Sequence, residues 1–114
     1  MQKTLKLNQN YLFQRIYRRG KSLVSPTIVL YYHKRQGAKL NHIGITTSKK
    51  VGGAVQRNRA RRVILESYRL LEPVVETGYT FVIVARGKAA NVKMQVVRDD
   101  LRRLLSKIGS LRSQ

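Results

Sequence analysis

Apolar side chains recur every three or four positions in three stretches of the chain, and this spacing predicts amphipathic helices over 8–19, 54–71 and 92–108. Asn8 can cap the first helix and Gly20 can end it. Two pairs in the first helix form neighbouring apolar faces, Leu12 with Ile16 and Phe13 with Tyr17. The expected buried faces of the other two are Ala60, Val63, Ile64, Ser67 and Leu71, and Val97, Leu101, Leu104, Leu105 and Ile108.

Three other stretches favour β-structure. Residues 22–34 alternate, with one face formed by Ile28, Leu30 and Tyr32 and the other by Val29, Tyr31 and His33. Pro26 cannot donate a ladder hydrogen bond, so it marks an edge, a bulge or a break. A second strand at 41–47 follows a turn near 36–38, and the two segments are predicted to pair as a hairpin. Residues 79–85 are apolar on both faces, which predicts a central, buried strand.

The order helix, hairpin, helix, strand, helix predicts an α+β fold, a two-layer sandwich with helices packed on a small mixed sheet. A chain of 114 residues is long enough for one domain, residues 1–114, with a core of its own. Gly109 ends the last helix, and residues 110–114 are expected to fray.

The net charge of the chain indicates what kind of molecule it binds. The chain has 24 Lys and Arg against 5 Asp and Glu, a formal net charge of +19. No acid precedes Glu66, so all the acids lie in the second half. Nucleic acid is the expected partner, because binding phosphates releases condensed counterions. A solvated basic surface is the simpler alternative, and no basic helix has the broad apolar face that would favour a membrane surface.

Other classes are excluded by what the composition lacks. The chain has no cysteine, so a disulfide framework and a thiolate metal site are impossible. No apolar run approaches the length of a membrane span, and the first ten residues have no apolar signal core. These features predict a soluble protein of the cytoplasm.

The segment KVGGAVQRNRARR at 50–62 is the strongest candidate for RNA contact. Gly52 and Gly53 permit a close approach of the backbone just before a helix N-terminus, which favours anions. Guanidinium groups suit phosphate oxygens, and Asn58 could read a base edge or a 2′-hydroxyl. An ordinary solvated helix mixes charges of both signs, yet only Glu66 relieves seven basic residues here: Lys49, Lys50, Arg57, Arg59, Arg61, Arg62 and Arg69.

The stretch GITTSKKVGGAVQRNRARRVILESYR at 44–69 resembles the signature of the bacterial ribonuclease P protein subunit. The matching elements are Ser48-Lys49-Lys50, Gly-x-Ala-Val at 52–55, Arg57-Asn58-Arg59 and Arg61-Arg62, with outlying matches at Phe13, Tyr17, Gly20 and Tyr31. Two positions depart from the family pattern. Members usually carry Asn where Gly53 stands and often Arg where Leu65 stands. Helical spacing places Leu65 on the outward face between Arg61 and Arg69, so one backbone contact is expected to be missing at this position.

The resemblance implies a fold and two RNA-binding surfaces. The fold would be a four-stranded mixed sheet with three helices and a left-handed βαβ crossover, a topology shared with a ribosomal protein domain and contrary to the usual handedness. The catalytic RNA subunit would be bound by Lys49, Lys50, Arg57, Asn58, Arg59, Arg61, Arg62 and Arg69. The 5′ leader of precursor tRNA would lie in a cleft lined by Phe13, Tyr17, Ser22 and Tyr31, with Lys21 at its rim. The alternation independently turns Tyr31 away from Ile28 and Leu30, although Phe13 and Tyr17 could simply be core residues.

The residues offer no catalytic site. Metal-assisted phosphodiester hydrolysis needs grouped carboxylates, and the acids lie on or shortly after two predicted helices. His33 and His42 could share a hairpin face, but polar strand residues are more often solvated. The resemblance agrees, since it assigns catalysis to the RNA subunit and Mg²⁺ mainly to RNA and substrate, with no metal held by the protein.

The partners expected are therefore the ribonuclease P RNA and precursor tRNA, with no DNA or membrane, and the free protein is expected to be a monomer. Three rivals remain open. A ribosomal protein would often carry long basic arms, a DNA-binding protein would need a dimer interface, and a protein-only nuclease would need more acids.

Overall fold

The computed structural model describes residues 1–112, which form five strands and three helices. The strands are β1 (Thr4–Lys6), β2 (Lys21–Val24), β3 (Ile28–Lys34), β4 (Asn41–Thr46) and β5 (Tyr79–Ala85). The helices are α1 (Asn10–Arg19), α2 (Ala54–Leu71) and α3 (Met94–Lys107), and three single 3₁₀ turns span Lys49–Val51, Glu72–Val74 and Gly87–Ala90. The predicted α+β class is confirmed, with one strand more than the four expected.

The five strands form one mixed sheet in the order β1-β4-β5-β3-β2. β1 runs parallel to β4, and β4 runs parallel to β5. β3 pairs antiparallel with β5 on one side and with β2 on the other. The adjacent parallel strands β4 and β5 are joined through α2, which makes a βαβ unit. The left-handedness of that crossover stays a prediction.

The predicted hairpin between 22–34 and 41–47 is wrong. β5 lies between β3 and β4. β5 is apolar on both faces, and such a strand is stable at the centre of a sheet, where strands pair with both of its edges and helices cover both of its faces. The hairpin that does form is β2 with β3, and Pro26 stands in the turn between them. Of the three alternatives predicted for Pro26, an edge, a bulge or a break, the structure shows a break between two strands.

The main core lies between the sheet and the pair α2 and α3. Ile28 and Leu30 of β3, Phe81 and Ile83 of β5, and the inner faces of both helices are buried together. Those inner faces contain the residues that the helical period predicted, from Ala60 to Leu105, with Tyr68 in addition. The opposite face of the sheet carries a smaller apolar cluster under α1, centred on Leu7, Ile16 and Val82. Among residues 1–112 no helix is long and apolar enough to cross a bilayer.

Both ends of the described chain are anchored by polar contacts. The backbone N–H of Lys3 and the hydroxyl of Thr4 donate to Glu72 Oε2, at 3.1 and 2.7 Å. At the other end Ser110 is fully buried and Leu111 forms a β-bridge with Val75. The expected fraying is therefore wrong for residues 110–112, while residues 113–114 lie outside the described chain. Asn8 is not the cap of α1, because the helix begins one residue later, after Gln9.

Candidate nucleic-acid interface

The start of α2 is shaped by two adjacent glycines with different roles. Gly52 has φ +139°, a left-handed conformation, and a Cβ there would lie 2.9 Å from Cβ of Gln56, so only glycine fits. Gly53 has ordinary extended geometry and is the N-cap of α2, with no side-chain cap. An asparagine at this position would cap the helix, so the departure at Gly53 leaves the N-terminal amides without a side-chain acceptor.

Two arginines of α2 hold the protein itself together. The Arg59 Nε and Nη2 atoms donate to the carbonyl oxygens of Ala90 and Val92, at 3.0 and 2.8 Å. Arg61 Nη1 donates to the carbonyl of Ile45 at 2.9 Å, on the part of β4 that extends beyond the short β1. Arg61 therefore satisfies an open sheet edge, a structural role that helical spacing could not reveal.

The remaining residues of the predicted RNA-subunit site differ in whether their side chains hydrogen-bond to other protein groups. Arg69 donates to Glu66 at 2.7 Å, and this hydrogen bond lowers the pKa of the Glu66 carboxyl and raises the pKa of Arg69. Part of the charge of Arg69 is therefore balanced. Within residues 1–112 the side chains of five predicted residues make no hydrogen bond to protein, and they form what we call the basic surface: Lys49, Lys50, Arg57, Asn58 and Arg62.

On the other face of the sheet, three rings line an aromatic groove, defined by Phe13, Tyr17 and Tyr31. The rings of Tyr17 and Tyr31 meet edge to face with centroids 4.9 Å apart. Tyr17 Oη donates to Thr46 Oγ1 at 3.4 Å, which fixes the ring across the sheet. Phe13 lies over Gly44, where any Cβ would overlap its ring. Glycine at 44 therefore lets α1 approach the sheet closely.

Phe13 and Tyr17 combine core packing with partial exposure. Each side chain packs against the small apolar cluster of Ile16 and Val82, as a core residue would. Each is nevertheless only half-buried, as is Tyr31, so an aromatic surface remains open to a ligand.

The structure places one of the other two predicted leader residues in the groove. Ser22 is exposed and lies directly opposite Tyr31 in the β2–β3 register, on the same face of the sheet. Lys21 pairs with Tyr32 instead, so strand alternation turns it to the face that carries α2 and α3. The structure does not bring Lys21 into the groove.

Helix α2 and the aromatic groove approach each other at the β4 edge. A shallow pocket of about 200 Å³ is lined by Phe13 from α1, Gly44 from β4, and Arg61 and Leu65 from α2. Leu65 is half-buried in this pocket, whereas its place on the helix suggested an outward projection between Arg61 and Arg69. The leucine at 65 therefore adds apolar surface beside Phe13.

The two buried carboxylates, Asp100 and Glu72, make contacts that stabilise the fold. Asp100 is buried and accepts from the backbone N–H and hydroxyl of Thr27, at 3.2 and 2.6 Å, and it pairs with Arg103. Glu72 accepts from the first strand, as described above. No three His, Asp or Glu side chains within residues 1–112 are grouped closely enough to hold a metal ion. The described residues therefore do not fit a protein-bound Mg²⁺.

Histidines 33 and 42 lie on β3 and β4, separated by Thr80 of β5, so they do not share a hairpin. Both nevertheless line one pocket between α1 and the sheet. Arg35 Nη2 donates to His42 Nδ1 at 2.7 Å. Desolvation and the charge of Arg35 lower the pKa of His42, so its ring is neutral at pH 7. Sequence reasoning missed this pocket, because its residues come from distant segments.

The chain is similar in sequence to known proteins. A family model described as Ribonuclease P matches residues 1–109. The ribonuclease P protein component of Caldanaerobacter subterraneus is 39% identical over 106 residues, covering 93% of this chain and 90% of the relative. That of Listeria monocytogenes is 37% identical over 114 residues, covering 100% of this chain and 95% of the relative.

Two solved structures have the same fold over most of their length. The RNase P protein of Staphylococcus aureus superposes with a TM-score of 0.82 at 26% identity, covering 94% of this chain and 97% of that one. The RNase P protein of Thermotoga maritima gives 0.79 at 28% identity, covering 90% and 96%. The family match, the curated relatives and the shared fold agree, and the chain belongs to the ribonuclease P protein component family.

Proposed function

We propose that this protein is the non-catalytic subunit of ribonuclease P, which removes the 5′ leader of precursor tRNA together with a catalytic RNA. The observation that carries the proposal is the pairing of two unlike surfaces on one small fold. The basic surface at the start of α2 suits the phosphates of a structured RNA, and the aromatic groove suits unstacked bases of a single strand.

The basic surface is assigned to the catalytic RNA. Its cations have no carboxylate partner within residues 1–112, and the helix N-terminus beside them adds amides that favour anions. Arg59 spends two of its five N–H groups on the carbonyls of Ala90 and Val92, so three remain for phosphate. Arg61 and Arg69 contribute charge to the same surface in spite of their internal contacts.

The aromatic groove is assigned to the leader. Half-exposed rings on an open sheet face can stack on bases of any sequence, which fits a leader that differs from one tRNA to the next. Ser22 stands beside Tyr31 as a polar neighbour for backbone or base. The position of Lys21 on the other face argues for leaving it out of this contact.

The protein's contribution to catalysis is then electrostatic and positional. A net charge of +19 reduces the repulsion between two polyanions, and a held leader fixes the scissile bond relative to the catalytic RNA. The two buried acids, Glu72 and Asp100, are engaged in folding contacts, which supports assigning Mg²⁺ to the RNA and substrate. The matched relatives are bacterial, and we place the complex in the bacterial cytoplasm, with the free protein a monomer.

Reconstituted cleavage tests the proposal. A precursor tRNA with a 5′ leader is incubated at low Mg²⁺ with a bacterial ribonuclease P RNA, with this protein, or with both. Cleavage at the mature 5′ end in the mixture alone is expected. Tight RNA binding without rescue would support a ribosomal protein instead, and cleavage by the protein alone would reveal an active site of its own.

A further inference from the structure

Helix α1 divides the second face of the sheet into two grooves with opposite character. Phe13 and Tyr17 turn toward the side where Tyr31 and Thr46 lie, which is the aromatic groove. The other side of the helix presents Arg15 and Arg19 above a row formed by His33, Thr80 and His42, which are neighbours in the strand register. The proposed function uses only the first groove.

The second groove contains a pocket of about 380 Å³, which is within the range of about 300–1,000 Å³ typical of small-ligand sites. Its lining includes three apolar side chains, at positions 7, 12 and 16, and three arginines, at positions 15, 19 and 35. Apolar neighbours lower the local dielectric and so strengthen each electrostatic contact that the arginines make in the pocket.

The polar groups of the pocket are suited to an anion. Because Arg35 Nη2 donates to His42 Nδ1, the neutral imidazole carries its proton on Nε2 and is a donor there. No carboxylate lines the pocket, and within residues 1–112 none of its three arginines takes part in an ion pair. Arginines from α1 and from the residue that follows β3 therefore line one pocket without a balancing charge.

We infer that this pocket binds a phosphate group of an RNA nucleotide, at a site separate from both the basic surface and the aromatic groove. Planar guanidinium forks match phosphate oxygens, and the unbalanced positive charge selects a dianion or phosphodiester over a neutral ligand. The phosphate can come from the catalytic RNA or from the precursor tRNA, and the chemistry of recognition is the same for both.

Inorganic phosphate is the first probe. Its addition is expected to shift the ring NMR signals of His33 and His42 together and saturably in the full-length protein. The double variant Arg15→Ala, Arg19→Ala should lose this response, while the charge-matched control Arg102→Ala, Lys107→Ala on α3 should keep it. Unshifted histidine signals, or a response that survives in the pocket variant, would overturn the site. Circular dichroism of each variant verifies that α1 is folded.

The two possible sources of phosphate are distinguished by the salt dependence of RNA binding. Removing two phosphate contacts should lower the slope of log K against log salt by about 1.4, and affinity at 0.1 M salt by about 25-fold, for the RNA that fills the pocket. Catalytic RNA and precursor tRNA are titrated separately with the pocket variant and the control. Unchanged slopes for both RNAs would overturn the assignment to RNA, even if reconstituted cleavage succeeds and the proposed function stands.

Discussion

Replacing Arg59 by alanine should destabilise the protein, whereas replacing Arg57 should not. Arg59 ties α2 to the segment before α3 through two hydrogen bonds to the carbonyls of Ala90 and Val92, one partly buried and one exposed. A hydrogen bond from a charged donor stabilises the folded state by about 1.5–3 kcal/mol when it is buried, and by less when it is exposed to water. We therefore expect Arg59→Ala to lower the free energy of unfolding by about 1.5–3 kcal/mol.

Thermal unfolding without RNA measures this loss. At about 4 °C per kcal/mol for a domain of this size, Tm should fall by about 6–12 °C in Arg59→Ala. Arg57→Ala should remain within about 0.5 kcal/mol of the parent, because Arg57 makes no side-chain hydrogen bond within residues 1–112. Both variants should bind the catalytic RNA less tightly. Arg59→Lys keeps the charge but not the two-pronged geometry, so it should recover binding better than stability.

An unchanged Tm in Arg59→Ala would refute the structural role of this side chain. Equal losses of Tm in Arg57→Ala and Arg59→Ala would refute the division between a folding arginine and an RNA-binding arginine.

Three further changes test other parts of the structure. In Gly44→Ala the added methyl group should overlap the ring of Phe13, lower the free energy of unfolding in urea by about 1–3 kcal/mol and weaken leader binding. A fully stable variant would contradict the close approach of α1 to the sheet. Asp100→Ala should cost about 2–3 kcal/mol, because the N–H and hydroxyl of Thr27 lose their acceptor, and a loss below about 0.5 kcal/mol would argue against that contact. Folding lowers the pKa of His42, so the contribution of this residue to the free energy of unfolding is present above about pH 6.5 and is lost as the pH falls below that value. The pH dependence of unfolding should therefore differ between the parent and His42→Gln below about pH 6.5. Identical pH profiles would contradict a lowered pKa of His42.

The sequence predicted those features that depend on local pattern. The bounds of α2 agree with the prediction, since its helical period is preceded by two glycines and followed by Pro73. The central position of β5 followed from apolar residues on both of its faces. The direction of Tyr31 followed from strand alternation, and Tyr31 lies against α1 as expected.

Other features depend on contacts between distant segments. β1 has three residues, too few for a period, and only its pairing with β4 defines it. The insertion of β5 between β3 and β4 is a nonlocal event that local pattern cannot distinguish from a hairpin. The role of Arg59 depends on carbonyls more than thirty positions away, so helical spacing identified its charge but not its structural task.

The most direct test of the account compares how two variants bind precursor tRNA and catalytic RNA, with mature tRNA as the leaderless control. Phe13→Leu keeps an apolar side chain over Gly44 but removes the stacking face, and Tyr11→Leu on the exposed side of α1 is its control. Phe13→Leu should weaken binding of precursor tRNA with a leader by about tenfold, and leave mature tRNA and catalytic RNA unaffected. Arg57→Ala with Arg62→Ala should do the reverse, lowering the salt slope for catalytic RNA by about 1.4–1.8. Equal weakening of both RNAs by either variant would contradict two separate RNA-binding surfaces.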